Sequence, residues 1–199
     1  MNEKTDINYF SEWGSHAWKI FLKEGVEILE REFGIAGKKL LELGPRSGRM
    51  ASFFALKGAE VTAVDIREKY LDAARAEAAK WKTKVNFIAY DGNLDCFDDN
   101  AFDIVFTKST LVMIPEQEKT VEQLSQKLKP GGYVLFVENG QAPLPMRIIR
   151  TLRHRKWSDK HVRYLRKREL DFIASHFEIL HHRKTFFPPL HLIVGRSRK

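Results

Sequence analysis

The sequence of 199 residues contains a single cysteine, Cys96. One cysteine cannot form an internal disulfide, and alone it cannot build a thiolate metal site. Long apolar runs are missing too, because the longest, such as residues 133–137, have about five residues, whereas a membrane-spanning helix needs about 20. The polar residues 1–6 have no apolar stretch behind them, so no secretory signal is expected. These absences predict a cytoplasmic protein without disulfides or membrane spans.

Histidine is present, but not in a metal-binding pattern. The seven histidines show no metal-ligand spacing, and a metal site needs several ligands at suitable intervals. We therefore predict no metal.

The positive charge of the chain is concentrated in one segment. The net charge is +8, yet residues 147–168 alone hold ten Lys or Arg against one acid, Asp159, which gives them +9 and leaves the remainder at −1. Hydrophobic residues make up 43% of the chain, which is enough for one packed core. Basic chemistry is thus a local feature of an otherwise neutral domain.

Hydrophobic periodicity predicts strands that alternate with helices. Helical spacing covers residues 18–33, 50–56, 68–81, 116–128 and 170–177, and short apolar runs predict strands at 39–43, 60–65, 85–89, 102–106, 133–137, 177–182 and 191–195. This order predicts an α/β fold: a doubly wound, mostly parallel seven-stranded sheet with helices on both faces. The short loop between the last two strands predicts an antiparallel hairpin, so the last strand runs antiparallel.

The turn after the first strand has features of a nucleoside-binding loop. It places Gly44 and Gly48 where a tight turn and a close approach of ligand to backbone are needed. Asp65 ends the second strand, where a carboxylate can accept hydrogen bonds from both ribose hydroxyls. The spacing departs from the dinucleotide fingerprint, and Glu42 suits a cationic ligand better than a pyrophosphate. The pattern indicates an adenosine-containing cation; a plain tight turn beside a strand-ending Asp is the alternative.

The same segments resemble the class I, seven-stranded S-adenosylmethionine-dependent methyltransferases. The resemblance covers residues 38–138 and, more loosely, 167–196, and it rests on five motifs in the family's order, at 42–48, 61–66, 90–92, 100–105 and 128–133. Arg46 replaces the middle glycine of the first motif. The resemblance implies S-adenosylmethionine as cofactor, S-adenosylhomocysteine as product, and cofactor-binding roles for Tyr9, Glu42, Gly44, Pro45, Arg46, Ser47, Gly48, Asp65, Ile66, Asp91, Gly92, Thr107 and Lys108.

Among these, the resemblance implies that Asp65 holds the ribose, that Ile66 lies against the adenine and that Asp91 meets the adenine amino group. Tyr9 or Phe10 would cover the sulfonium, since a ring face attracts a cation; packing on the core is an equal alternative. The same comparison divides the chain into an N-terminal helical lid (1–37), a cofactor-binding core (38–138), a basic helical insert (139–168) and a C-terminal helix with a β-hairpin (169–199).

The acceptor is less well defined. An alcohol acceptor benefits from a base, and the candidates are His16, Glu138, His154 and His161, none of which the sequence singles out. His181, His182 and His191 fall on the terminal hairpin and are expected to be structural, far from the strand ends that form the site. The loop at 107–111 lacks the Asn-Pro-Pro-Tyr type of motif, and no Pro-Cys pair is present, which weighs against base-modifying chemistry.

These features predict an enzyme that methylates an oxygen or nitrogen of a small or lipid-like, anionic acceptor. The segment 147–168 has the composition of a helix that lies on an anionic membrane, lines a pocket for an anionic acceptor or tracks RNA; a solvated face is the simplest alternative. An RNA methyltransferase that uses this segment, or a non-catalytic cofactor-binding module, stay as alternative functions. The oligomeric state is unknown.

Overall fold

The computed structural model describes residues 16–141, 162–186 and 188–199. Within these ranges the helices are α1 (His16–Glu32), α2 (Arg49–Leu56), α3 (Glu68–Trp81), α4 (Gln117–Lys127) and α5 (Lys167–His176), with a short 3-10 helix at Leu111–Met113. The strands are β1 (Lys39–Leu43), β2 (Glu60–Asp65), β3 (Val85–Ala89), β4 (Phe102–Lys108), β5 (Leu128–Asn139), β6 (Phe177–Phe186) and β7 (Pro189–Ser197).

The seven strands form one sheet in the order β3-β2-β1-β4-β5-β7-β6. The pairs among β1 to β5 are parallel, whereas β7 runs antiparallel to both β5 and β6. The predicted fold class, including the antiparallel last strand, is confirmed. Along the chain the strands start at β1, build outward to β3 and then return to β4 on the other side of β1, so the topological switch point lies between β1 and β4. Ligands of open α/β sheets bind at this point, beyond the carboxyl ends of the strands.

Two hydrophobic cores cover the two faces of the sheet. One contains Leu22, Phe54, Phe106 and Leu135 and is closed by α1 and α2. The other contains Val105, Phe136, Phe177 and buried residues of α4 and α5. Because β-strand side chains alternate between faces, neighbours such as Val105 and Phe106 enter opposite cores, as expected for a central strand buried on both sides.

The terminal strands are longer than predicted. β6 extends to Phe186 and β7 begins at Pro189, and these two residues pair with each other. β5 starts at Leu128 instead of residue 133, because Leu128 pairs with Phe102 before the register shifts at the Pro-Gly-Gly turn. None of the helices in the described ranges combines the length and hydrophobicity needed to cross a lipid bilayer.

Candidate functional site

The loop after β1 lies at the switch point and is held in a left-handed conformation. Gly44 has φ 67° and donates its N–H to the Val64 carbonyl at 2.8 Å, which ties the loop to the end of β2. A Cβ atom on Gly44 would lie 2.6 Å from Thr110 Oγ1, a distance that forces a displacement. Arg46, the residue that departs from the family motif, has φ 49°. It therefore adopts the backbone conformation that glycine usually takes, at a cost of about 1–2 kcal/mol.

Gly48 joins this loop to helix α2 and allows close packing between helices. It is the N-cap residue of α2 with φ 71°, and a Cβ atom there would lie 2.7 Å from both Cα and Cβ of Ala74 on α3. In the first turn of α2, the backbone N–H of Ala51 hydrogen-bonds to the carboxyl group of Glu42, so the start of this helix meets the acid that precedes the loop.

Glu42 lies buried directly before this loop. Its side chain is 3% exposed, and its Oε2 has no hydrogen-bond partner among the described residues. Burial raises the pKa of Glu42 to about 8, against the opposing effect of the Lys108 charge. A buried, unpaired carboxylate oxygen is costly unless a partner is supplied. The chemistry of this position therefore fits a ligand that carries a positive charge, as S-adenosylmethionine does.

Lys108 interacts electrostatically with two carboxyl groups of the site, those of Glu42 and Glu138. Burial lowers its pKa, whereas the charges of Glu42 and Glu138 raise it. Its Nζ also lies 5.1 Å from the ring centroid of Trp18, which brings the start of α1 to this part of the molecule. Sequence reasoning missed Trp18, because its spacing fits the buried face of the helix as well as it fits a position at a site.

A second group of predicted residues lies at the ends of β2 and β3. Asp65 is buried and accepts the N–H of Arg67 at 2.9 Å, and Ile66 beside it is 62% exposed. Burial raises the pKa of Tyr90 to about 12, and the charges of Asp65 and Asp91 add to the shift. The two aspartates thus surround one phenol at the same edge of the sheet. An exposed apolar side chain next to two acids is a suitable surface for a nucleoside.

The end of β4 holds the carboxylate of Glu138. Thr107 donates its hydroxyl to Glu138 Oε1 at 2.7 Å, and the amide N–H groups of Thr110 and Leu111 donate to the same oxygen at 3.2 Å. Glu138 is fully buried, and its Oε2 has no partner among the described residues. Burial raises its pKa to about 7, although the hydrogen bonds from Thr107, Leu111 and Thr110 lower it. This carboxyl group is poised to exchange a proton near neutral pH.

The structure places the predicted candidate bases in different environments. Glu138 lies buried at the carboxyl edge of the sheet, whereas His16 is exposed at the start of α1. His154 and His161, and likewise Tyr9 and Phe10, lie outside the described residues. In the described part of the chain, no three His, Cys, Asp or Glu side chains are grouped so as to hold a metal ion.

One expectation for the hairpin histidines is wrong. His191 is paired directly with Glu138 in the register of β5 and β7, so it lies at the strand ends that form the site. The physical reason is the direction of β7: an antiparallel strand begins at the edge where its parallel neighbours end. The antiparallel direction of the last strand, which the sequence predicts, is enough to place His191 at this edge. His181, by contrast, contacts Glu24 of α1 at 3.1 Å.

Residues 41–136 match the family model described as a methyltransferase domain. The match assigns this central part of the chain to the methyltransferase domain family. This confirms the family that the five motifs predict, and it supports S-adenosylmethionine as the cofactor.

The related sequences match part of this chain. It is 33% identical over 113 residues to a ubiquinone biosynthesis O-methyltransferase from Chromobacterium violaceum, which is 56% of this chain and 48% of that protein. It is 32% identical over 112 residues to a demethylmenaquinone methyltransferase from Clavibacter sepedonicus, which is 56% of this chain and 45% of that protein. The chain thus spans about half the length of the curated relatives it matches.

Solved structures resemble the chain over nearly its whole length. An S-adenosylmethionine-dependent methyltransferase from Mesorhizobium loti superimposes with a TM-score of 0.71 at 18% identity, covering 92% of this chain and 99% of that one. At this identity the likeness supports the fold. The roles of the individual site residues stay predictions.

Proposed function

We propose that this protein transfers the methyl group of S-adenosylmethionine to an oxygen or nitrogen atom of a small or lipid-like acceptor. The observation that carries the proposal is Glu42, whose buried, unpaired carboxylate oxygen lies beneath the Gly44–Gly48 loop. Asp65, Ile66 and Asp91 extend this site along the edge of the sheet. Asp65 follows Gly44 by 21 residues, close to the spacing of about 20 residues at which a ribose-binding acid follows the glycine loop.

The protein's part in such a reaction is mainly positioning. S-adenosylmethionine supplies a methyl group that its sulfonium already activates, so the chain must hold that group in line with the acceptor atom and exclude water. Glu42 binds positive charge, Asp65 accepts from the ribose hydroxyls, and the left-handed loop brings backbone close to the ligand. Correct orientation of two reactants alone contributes up to about 7–11 kcal/mol.

The names of the relatives favour an oxygen atom on a lipid-like acceptor. One relative is a ubiquinone biosynthesis O-methyltransferase and the other a demethylmenaquinone methyltransferase, and quinones are lipid-like small molecules. We infer that the acceptor here belongs to the same broad class. RNA methylation and a purely cofactor-sensing role gain no support from either relative, and an anionic acceptor stays a prediction.

The proposed ribose contact predicts a change in cofactor affinity. Asp65→Ala is expected to weaken binding of S-adenosylhomocysteine by about 1–3 kcal/mol, or about 5- to 150-fold, because the ribose hydroxyls lose a buried acceptor. Titration calorimetry measures this directly, and Asp171→Ala, an exposed change on α5, serves as the control. Equal affinities for the Asp65 variant and the control would contradict the ribose role.

The basic segment is partly neutralised where the structure describes it. Arg168 pairs with Glu118 of α4 at 2.8 Å, Arg163 lies 3.9 Å from the same carboxylate, and Lys167 pairs with Asp171 at 2.5 Å. Arg166 lies at the N-cap of α5, and the six basic residues at 147–160 lie outside the described ranges. If the segment meets an anionic membrane, these remaining charges carry the contact.

A vesicle experiment tests that contact. We expect the protein to float with vesicles that contain anionic lipid and not with neutral ones, and Arg147→Gln with Arg150→Gln to weaken binding by about 2 kcal/mol, since each basic residue near the surface contributes about 1 kcal/mol. The matched control replaces Lys167 and Arg168, whose charges are already paired, and should lose less. Equal flotation with anionic and neutral vesicles would contradict membrane contact through this segment. An equal loss of vesicle binding in the Arg147/Arg150 and Lys167/Arg168 double variants would contradict it as well.

A further inference from the structure

Two buried polar side chains face each other across neighbouring strands at the carboxyl edge of the sheet. Glu138 on β5 is the direct register partner of His191 on β7. Directly opposite residues project to the same face, with Cβ atoms about 4.5–5.5 Å apart. Both side chains are buried, at 0% and 1% exposure.

Each of these side chains has one atom without a partner. Among the described residues, neither Glu138 Oε2 nor His191 Nε2 makes a hydrogen bond, although both atoms are buried. Buried polar atoms are almost always hydrogen-bonded, so each exception requires an explanation. Two such atoms on the same face, from directly paired residues, indicate a place built for a polar group that the chain itself does not supply.

The other atoms of the two side chains are firmly held. Glu138 Oε1 accepts three hydrogen bonds, from Thr107, Thr110 and Leu111. His191 Nδ1 lies 2.9 Å from His182 Nε2, and the two imidazole rings stack with centroids 5.2 Å apart. The unpaired atoms are therefore fixed in direction, as a site that binds or reacts requires.

Thr110 links Glu138 to the proposed cofactor-binding loop. Thr110 donates its backbone N–H to Glu138, while its side chain fills the space beside Gly44 that a Cβ atom would need. The charge of Lys108 interacts with the carboxyl groups of both Glu42 and Glu138. The pair consequently lies next to the place where the methyl group would be presented.

We propose that Glu138 and His191 bind a hydroxyl group of the acceptor and that Glu138 removes its proton. This inference rests on the proposed methyltransferase function and names the base for it. The acceptor O–H bond breaks and its proton passes to Glu138 Oε2. The acceptor oxygen forms the new bond to the methyl carbon, and the electron pair of the breaking carbon–sulfur bond stays on sulfur.

His191 acts as a positioning residue beside that base and offers the proton a way out. Its Nε2 is buried beside Gly140, where an added Cβ atom would lie 2.9 Å away, and has no partner among the described residues. Its Nδ1 contacts His182, which is exposed to solvent. The charged and titratable groups that act on the pair are Lys108 on β4 and His182 and Lys184 on β6. Burial lowers the pKa of His191 to about 4, with help from His182 and Lys184, so at neutral pH this ring is uncharged and able to accept a hydrogen bond.

The first test measures methyl transfer with a radiolabelled donor and a catechol carrying a short isoprenoid tail as the probe acceptor. Glu138→Gln keeps an oxygen for Thr107 and the two amides, yet it cannot take a proton. We expect kcat to fall about 10²- to 10³-fold, as for loss of a general base, while KM for the donor changes less than about twofold because donor binding is untouched. The rise of the wild-type rate with pH near 7 should disappear in this variant.

The hairpin offers a matched control for the histidine. His191→Asn should lower kcat about tenfold and shift the pH profile, since a positioning contact is worth less than the base itself. His181→Asn, one strand away and facing α1, should leave both unchanged. Full activity of Glu138→Gln in a protein that binds S-adenosylhomocysteine would overturn the inference, whereas failure of the wild type to bind that nucleoside would overturn the proposed function instead.

A second readout is independent of the acceptor. The ring nitrogen resonances of His191, followed by NMR from about pH 6 to 9, should move as the neighbouring carboxyl group ionises near its raised pKa, and this movement should vanish in Glu138→Gln but persist in His181→Asn. Resonances of His191 that stay constant over this range in the wild type would show that the two groups do not form a unit.

Discussion

Replacing Gly48 with alanine is expected to lower the free energy of unfolding by about 3 kcal/mol, the combined effect of left-handed strain and overpacking. The backbone at Gly48 has φ 71°, where a Cβ atom clashes with its own carbonyl. The added atom would also lie 2.7 Å from the backbone Cα of Ala74. Because the neighbour is backbone rather than the end of a flexible side chain, α2 and α3 must move apart to admit it.

Gly131→Ala separates these two causes. Gly131 has a similar φ of 68°, but nothing lies within 4 Å of its added Cβ atom. This variant should therefore show only the strain, about 1–2 kcal/mol. Urea denaturation followed by circular dichroism measures both losses, provided that the slope with urea stays constant. Equal losses for Gly48→Ala and Gly131→Ala would mean that the contact with Ala74 relaxes without cost.

Much of the fold follows from local patterns. The alternation of apolar runs and helical spacing predicts the position of every described strand. The exact lengths of β5, β6 and β7 did not follow, since they depend on pairing across the sheet: Leu128 joins the strand only because Phe102 lies opposite. Pairing between strands distant along the chain leaves no trace in a local pattern.

The site was predictable to the extent that it is built from consecutive residues. Glu42, the glycine loop and Asp65 belong to short motifs, and the structure brings them to one edge of the sheet. Glu138 appeared only as one of four candidates, because its burial and its three donors come from β4 and the following loop. From its position in the chain His191 is expected to be structural, yet the direction of β7 places it opposite Glu138.

The buried carboxyl group of Glu42 leads to the second large effect. In the free protein its pKa is about 8, so at pH 7 the group is mostly protonated. A bound cation favours the ionised form, which means that binding of S-adenosylmethionine at pH 7 should release close to one proton. Affinity should rise from pH 6 to about pH 8 and then level off, since above its pKa the group is already ionised.

Glu42→Gln removes this charge with little change in shape. We expect affinity for S-adenosylmethionine to fall by about 3 kcal/mol, or about 150-fold, because loss of one partner leaves a buried charge uncompensated. The proton release should vanish as well. Titration calorimetry at pH 7 in phosphate and in Tris buffer measures both quantities, because the two buffers take up protons with different heats. Glu60→Gln, an exposed change at the opposite edge of the sheet, is the matched control.

Without cofactor, Glu42→Gln and the wild type should also differ in how their free energy of unfolding changes with pH. A carboxyl group with a raised pKa stabilises the folded state below its unfolded pKa, and this contribution is lost as pH rises through the folded value, here from about 4.5 to about 8. Glu42→Gln should therefore lose less stability than the wild type between pH 5 and about pH 8, while it binds the cofactor more weakly. Identical heats in both buffers for the wild type, with unchanged affinity in Glu42→Gln, would show that Glu42 does not meet the bound cation, and the cofactor would then have to be held by the ends of β2 and β3 alone.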